Sequence, residues 1–169
     1  MKVRPSIETD LPAIAAIYAY HVENSTSSFE IEAPSLAELT RRRALILDHK
    51  FPYLIAEAAD GGILGYAYAG PHRLRPAYRF TVEDSIYVDR AHTGKGIGKL
   101  LLAQLIEDCT GRGAREMIAV IGGSSNIASI RLHEHFGFTH AGVLRRVGYK
   151  FDTWIDTVFM QRSLAAPIQ

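Results

Sequence analysis

Residues Thr93-Gly94-Lys95-Gly96-Ile97-Gly98 place three alternate glycines between an extended stretch, Thr81 to Val88, and a segment in which Leu100, Leu101, Ala103, Leu105 and Ile106 recur at helical spacing. A strand that passes through such a loop into a helix calls for an α/β layer architecture. It also leaves backbone N–H groups free at a helix N-terminus, where they bind anions such as phosphate. Two familiar phosphate motifs are excluded by spacing. A P-loop needs a glycine five positions before a Gly-Lys pair and Ser or Thr after it, but Thr93 and Leu100 occupy those places. The dinucleotide fingerprint needs a small residue three positions after its second glycine, and counting from Gly94 or Gly96 meets Lys99 or Leu101.

Any such anion site must be local. The 169 residues carry 19 Lys plus Arg against 18 Asp plus Glu, a formal charge of +1, which argues against a broad footprint for nucleic acid or anionic lipid. A chain of this length buries roughly 70% of its unfolded surface and needs no metal or disulfide staple, so one domain over residues 1–164 with a short tail at 165–169 is expected. Cys109 is the lone cysteine, which points to a reducing compartment. No apolar run approaches the ~18 residues of a membrane span, and the N-terminus shows no signal-peptide core. A cytoplasmic protein is the expectation.

Along the chain, a short strand at Met1 to Arg4 precedes a helix capped by Thr9 or Asp10, with Pro12 in its first turn. Asn24 to Ser28 reads as a loop, Ser35-Leu36-Ala37-Glu38 as a capping box starting a helix toward Asp48, and Arg41-Arg42-Arg43 as a solvated helix face. Tyr53 to Ala59 and Ile63 to Gly70, joined by Asp60-Gly61-Gly62, predict a β-hairpin. The helix after the glycine loop should stop near Gly111 or Gly113. Met117 to Ile121 predicts a strand buried on both faces, Asn126 to His135 a helix stopped by Gly137, and Thr139 to Gly148 and Trp154 to Met160 two further strands. The whole predicts a mixed sheet with helices on both faces.

The glycine loop resembles the acyl-CoA-binding signature of the GNAT N-acetyltransferases, with Thr93 in its lead position. A second stretch, Asn126-Ile127-Ala128-Ser129-Ile130-Arg131-Leu132-His133-Glu134-His135-Phe136-Gly137-Phe138, is similar to that family's motif of Asn opening a helix, an aromatic acid seven positions on and a closing Gly-Phe, with His133 where many members have Tyr. The segments Tyr78 to Val88, Ala119 to Gly122, Ser129 to Glu134 and Gly148-Tyr149-Lys150 resemble the phosphinothricin N-acetyltransferase subfamily, whose members acetylate phosphinothricin, methionine sulfoximine or methionine sulfone. The resemblance implies a GNAT fold, an α/β architecture around a central mixed, mostly antiparallel, twisted sheet. It also implies acetyl-CoA as acetyl donor, no metal, and a homodimer. For site residues it implies that the coenzyme is held by Ile86, Tyr87, Val88, Thr93, Gly94, Lys95, Gly96, Ile97, Gly98, Lys99 and Asn126.

Acetyl transfer to an amine requires a neutral amine, a polarised carbonyl and a proton for the departing thiolate. Glu83, on the strand before the loop, is the candidate base; His133, seven residues after Asn126, is the candidate proton donor or second base. Arg73 and Arg75 can clamp a substrate carboxylate, with Leu74, Tyr78, Phe80, Asp84 and Ser85 as further walls of the amine site. Tyr149, Lys150 and Trp154 are candidates to complete that wall. His133-Glu134-His135 lacks the i, i+4 histidines of a helical zinc site, and Cys109 reads as an inert buried thiol. Another amine acceptor, such as a peptide N-terminus or a polyamine, and a non-catalytic CoA-binding module are the competing readings.

Overall fold

The computed structural model describes residues 1–164, so the tail at 165–169 lies outside the described residues. Its elements are β1 (Lys2–Pro5), α1 (Leu11–Asn24), α2 (Leu36–Asp48), β2 (Tyr53–Glu57), β3 (Ile63–Pro71), β4 (Thr81–Val88), α3 (Ile97–Gly111), β5 (Glu116–Gly122), α4 (Ile127–His135), β6 (Thr139–Lys150) and β7 (Thr153–Ser163). The strands form one sheet in the order β1-β2-β3-β4-β5-β7-β6. Every pairing is antiparallel except β4 with β5. This is the mixed, mostly antiparallel sheet flanked by helices that the sequence predicts.

Alternation along each strand sorts the core into two layers. Leu54 and Ala56 of β2, Ala67 and Ala69 of β3, and Val82 of β4 face Leu101, Leu102, Leu105 and Ile106 of α3 and Ile130 of α4. Tyr53 and Ile55, Tyr66, and Tyr87 face the other way, against Ile14, Ile17, Tyr18 and Val22 of α1 and Leu39 of α2. Tyrosines dominate this second layer. The ring of Tyr66 lies parallel to those of Tyr53 and Tyr87 at centroid distances of 5.9 and 5.3 Å, and Tyr18 meets Tyr87 edge-on at 5.0 Å.

The parallel pairing of β4 with β5 runs only from Thr81–Glu116 to Asp84–Ala119. Beyond it β4 continues to Val88 and β5 to Gly122 without pairing to each other, so the sheet splits into a V, and this split positions the site.

Several local expectations are corrected. Asp10 does not cap α1: its carboxylate accepts from Ile7 N and from both terminal nitrogens of Arg4, at 2.7 to 2.9 Å, because a nearby guanidinium outcompetes a helix terminus. Ser35 does cap α2, accepting from Glu38 N at 3.2 Å. Glu38, however, turns to Arg41 and Arg42 and leaves the reciprocal half of the box unmade. The arginine run is a solvated face only at Arg41, which is 62% exposed. Arg42 reaches Glu30, and Arg43 bonds the hydroxyl and carbonyl of Ser6, tying α2 to the loop before it and to the turn after β1. β5 is buried on one face only: Met117, Ala119 and Ile121 are core, whereas Val120 is 37% exposed where the V opens. The β6–β7 hairpin also runs past Gly148 to Lys150, with a register shift between Leu144 and Gly148.

Candidate active site

A cleft of about 520 Å³ fills the V, with Ser85 to Val88 on one arm, Ala119 to Gly122 on the other, and the glycine turn and the start of α4 closing it. Gly94 and Gly96 sit at φ of +75° and +83°, backbone that other residues adopt only under strain. Gly96 is the N-cap of α3, so the N–H groups of Ile97, Gly98 and Lys99 have no partner within the helix and face the cleft as anion donors. Nothing lies within 4 Å of a Cβ built at Gly94 or Gly96, which leaves room for a diphosphate against the backbone. Charge follows from the helix dipole and from Lys99 in the first turn.

Ile86, Tyr87, Val88, Thr93, Gly94, Gly96, Ile97, Gly98, Lys99 and Asn126 all line this cleft. Tyr87 and Ile97 do so through their main chain, since both side chains are buried in the two core layers. Lys95 does not line it. Its ammonium donates back to Ala91 O at 3.0 Å. The carbonyl oxygen of Asn126 accepts from Ser129 N at 3.3 Å as the cap of α4, leaving its NH₂ end for a ligand.

Alternation on β4 separates the two neighbouring acids. Glu83 shares a face with Ser85 and Tyr87, beside the tyrosine layer; Ser85 pairs with Tyr68 across the β3–β4 register. Glu83 is half-buried, with Oε2 3.2 Å from His72 Nδ1. Burial pushes its carboxyl above the usual range, while His72 and, more weakly, Arg73 pull it down. Asp84 is not part of this amine wall. It lies on the opposite face, 7% exposed, with Oδ2 3.1 Å from His133 Nε2. His133 is equally buried and its Nδ1 donates to Ser129 O at 2.7 Å. Burial opposes charge on this ring, but Asp84 and Ser129 more than offset it and the histidine is raised above its ordinary value.

The remaining substrate candidates divide. Arg73 is exposed yet close enough for its charge to reach Glu83. Leu74 is 87% exposed, and Arg75 is exposed beside it. Tyr78 meets His72 edge-on at 6.0 Å and so belongs to the Glu83 side. Phe80 does not: its ring lies under the Arg79 guanidinium at 4.5 Å and opens on a separate hollow with Val82 and Cys109, because it stands at the far end of β4. Tyr149 and Trp154 are exposed, 5.1 Å apart. Lys150 is buried, donating to the carbonyls of Ser25 and Ser28 at 2.9 and 2.8 Å. Cys109 is buried with its thiol pushed up to about 12. Among the described residues, no group of three or more His, Cys, Asp or Glu converges as metal ligands, and no helix is long and apolar enough to cross a membrane.

His72 is the site residue that sequence reading missed. The hairpin register carries the signal. Gly70 pairs with Glu83 and Pro71 with Val82, so the residue after Pro71 stands opposite Thr81, diagonal to Glu83.

Residues 4–159 match the Acetyltransferase (GNAT) domain family. The chain is 52% identical over 164 residues to the phosphinothricin N-acetyltransferase of Alcaligenes faecalis, covering 97% of this chain and 83% of that one. It is 41% identical over 165 residues to the L-methionine sulfoximine/L-methionine sulfone acetyltransferase of Pseudomonas aeruginosa, covering 96% and 94%. The crystal structure of a GNAT superfamily phosphinothricin acetyltransferase from Sinorhizobium meliloti, in complex with AcCoA, superposes with a TM-score of 0.94 at 44% identity, covering 97% of this chain and 88% of that one.

Proposed function

Because the chain belongs to the GNAT acetyltransferase family and is an acetyl-CoA-dependent N-acetyltransferase, we propose that its acceptor is the α-amino group of a small amino acid of the phosphinothricin, methionine sulfoximine or methionine sulfone type. The names of its relatives support this class. So does the charge beside Glu83, where Arg73 is the nearby cation that a substrate carboxylate would meet. A polyamine would want carboxylates in its place.

Acetyl-CoA supplies the activated acyl group as a thioester. The protein holds its diphosphate on the N–H groups of Ile97, Gly98 and Lys99, with Asn126 and the main chain of Ile86 to Val88 along the rest of the cleft. Glu83, on the opposite face of β4 from α3, takes a proton from the ammonium form of the substrate, directly or through water. Its raised carboxyl range suits that task. His133 lines the cleft with both ring nitrogens held, Nδ1 by Ser129 O and Nε2 by Asp84 Oδ2, so the departing sulfur takes its proton from water in the cleft. Transfer is direct, since the Cys109 thiol is buried and protonated.

The observation that carries this reading is the pairing of a half-buried carboxylate, Glu83, with a glycine-cradled anion site across the split in the sheet. Thiol release from acetyl-CoA tests it against methionine sulfone, methionine sulfoximine, phosphinothricin, peptides and polyamines. Turnover is expected with the first three; turnover confined to peptides or polyamines overturns the assigned acceptor. We also read the chain as a cytoplasmic homodimer that associates through the β6–β7 end of the sheet, where Leu144, Val147 and Trp154 are 51%, 54% and 61% exposed.

A further inference from the structure

A strand whose neighbour departs is left with every second N–H and C=O on that side unpaired. β4 is in this position beyond Asp84. Asp89 N donates to Leu64 O and His72 N to Thr81 O, so the odd-numbered residues of β4 bond β3 and the even-numbered ones turn their main-chain groups toward β5. Val82 and Asp84 find β5 there; Ile86 and Val88 face the open split. One of these groups is already taken. His21 of α1 lines the cleft, and its Nε2 donates to the Val88 carbonyl oxygen at 2.8 Å. A carbonyl can only accept, so the ring carries its proton on Nε2. The opposite arm is treated alike. Gly123 N donates to Asp156 O of β7, which turns the Gly122 carbonyl toward the split, and that oxygen accepts from the Thr26 hydroxyl at 3.2 Å.

Packing alone does not call for a histidine at this place. The ring lies tilted against Tyr87 at 5.5 Å and edge-on to Tyr20 at 5.7 Å, contacts that any aromatic side chain makes. Its Nδ1 is buried with no hydrogen-bond partner among the described residues, a cost that a phenyl ring would not carry. What histidine adds is the Nε2 donor. With it, the peptide between Val88 and Asp89 is held at both ends, by His21 at its oxygen and by Leu64 at its nitrogen. Without it, the Val88 oxygen would stand bare in the split and turn its lone pairs toward whatever chain fills the cleft. Val88 lies midway in the sequence between Glu83 and Thr93, so it borders the stretch of coenzyme between the diphosphate on the glycine turn and the acyl group near Glu83.

We propose that His21 is a positioning residue for acetyl-CoA: by donating from Nε2 to the Val88 carbonyl it fixes the last peptide of the β4 arm and withdraws that oxygen from the cleft, leaving the N–H of Val88 and the N–H and C=O of Ile86 to the coenzyme. This rests on the coenzyme site described above and not on the choice of acceptor amine, so coenzyme A alone can probe it.

The test is calorimetric titration of coenzyme A into the full-length protein, with two variants of His21. His21→Leu fills the space without a donor and should weaken binding about ten-fold, the effect of one hydrogen bond to a buried carbonyl. His21→Gln places an amide N–H where Nε2 was and should bind within about three-fold of wild type. In kinetics, His21→Leu should raise the KM for acetyl-CoA about ten-fold, with kcat at saturating acetyl-CoA and the KM for the amine each within about three-fold of wild type. Wild-type affinity in His21→Leu overturns the proposal, and so does equal loss in the two variants, which would mean that only the shape of the ring matters. If neither variant folds, the wild type decides: ¹⁵N NMR of ring-labelled protein, with the His21 signals assigned through its backbone, should show a proton on Nε2 and a bare Nδ1, and a proton on Nδ1 overturns the proposal. A wild type that takes up no coenzyme A overturns it together with the coenzyme site, whereas the absence of turnover with the amines named above touches the acceptor alone.

Discussion

Glu83 is pulled in two directions: burial raises its carboxyl and the contact with His72 lowers it. The proposed role as base needs the ionised form, so kcat/KM should fall as pH drops through a value above the ordinary carboxylate's 4.5. His72→Ala removes the contact and lets burial act unopposed, so the acid limb of the profile should move to higher pH; a limb that stays put or moves down refutes this account of Glu83. Glu83→Gln should lower kcat by about 10²-fold or more while the KM for acetyl-CoA changes little, measured as thiol release under saturating amine. The place of Glu83 on the strand leading to the glycine loop was legible. Its partner was not, because His72 lies eleven residues away in the chain and is brought near only by a hairpin register.

Among elements, the loop between α1 and α2 shows most clearly how a site wall is made without regular structure. Lys150 of β6 ties it down through the Ser25 and Ser28 carbonyls. The Tyr18 hydroxyl holds Ser28 and Glu30 from the other side. Phe29 then lies over Gly122 and Gly148, where a Cβ would overlap the Thr26 carbonyl and the Phe29 ring respectively. Both glycines are thus required by close approach. Lys150→Met should cost about 2–4 kcal/mol in urea unfolding, since two buried carbonyls lose a charged donor. A loss below ~0.5 kcal/mol would mean the clamp contributes nothing. The sequence marked this stretch as a loop through Asn24 to Ser28; nothing in its local pattern names a lysine some 120 residues on as its anchor.

At the scale of the whole molecule, the exposed apolar residues at the β6–β7 end predict association. Sedimentation should give twice the chain mass of 18.7 kDa for the wild type, and Leu144→Lys with Val147→Glu should give the monomer. A wild type that sediments as one chain discards the dimer. The order of elements, the glycine turn and the helix it starts were determined by local chemistry: positive φ at Gly94 and Gly96, caps at Ser35 and Asn126, and apolar periodicity need only neighbours in the chain. What tertiary structure alone decided is which face each residue serves. Pairing between β4 and β5 ends at Asp84 and Ala119, and at that end strand alternation sends Glu83 toward the tyrosine layer and Asp84 toward His133. Adjacent residues in the sequence are thereby placed on opposite sides of one sheet, a consequence of pleat and pairing that neither acid carries in its own chemistry.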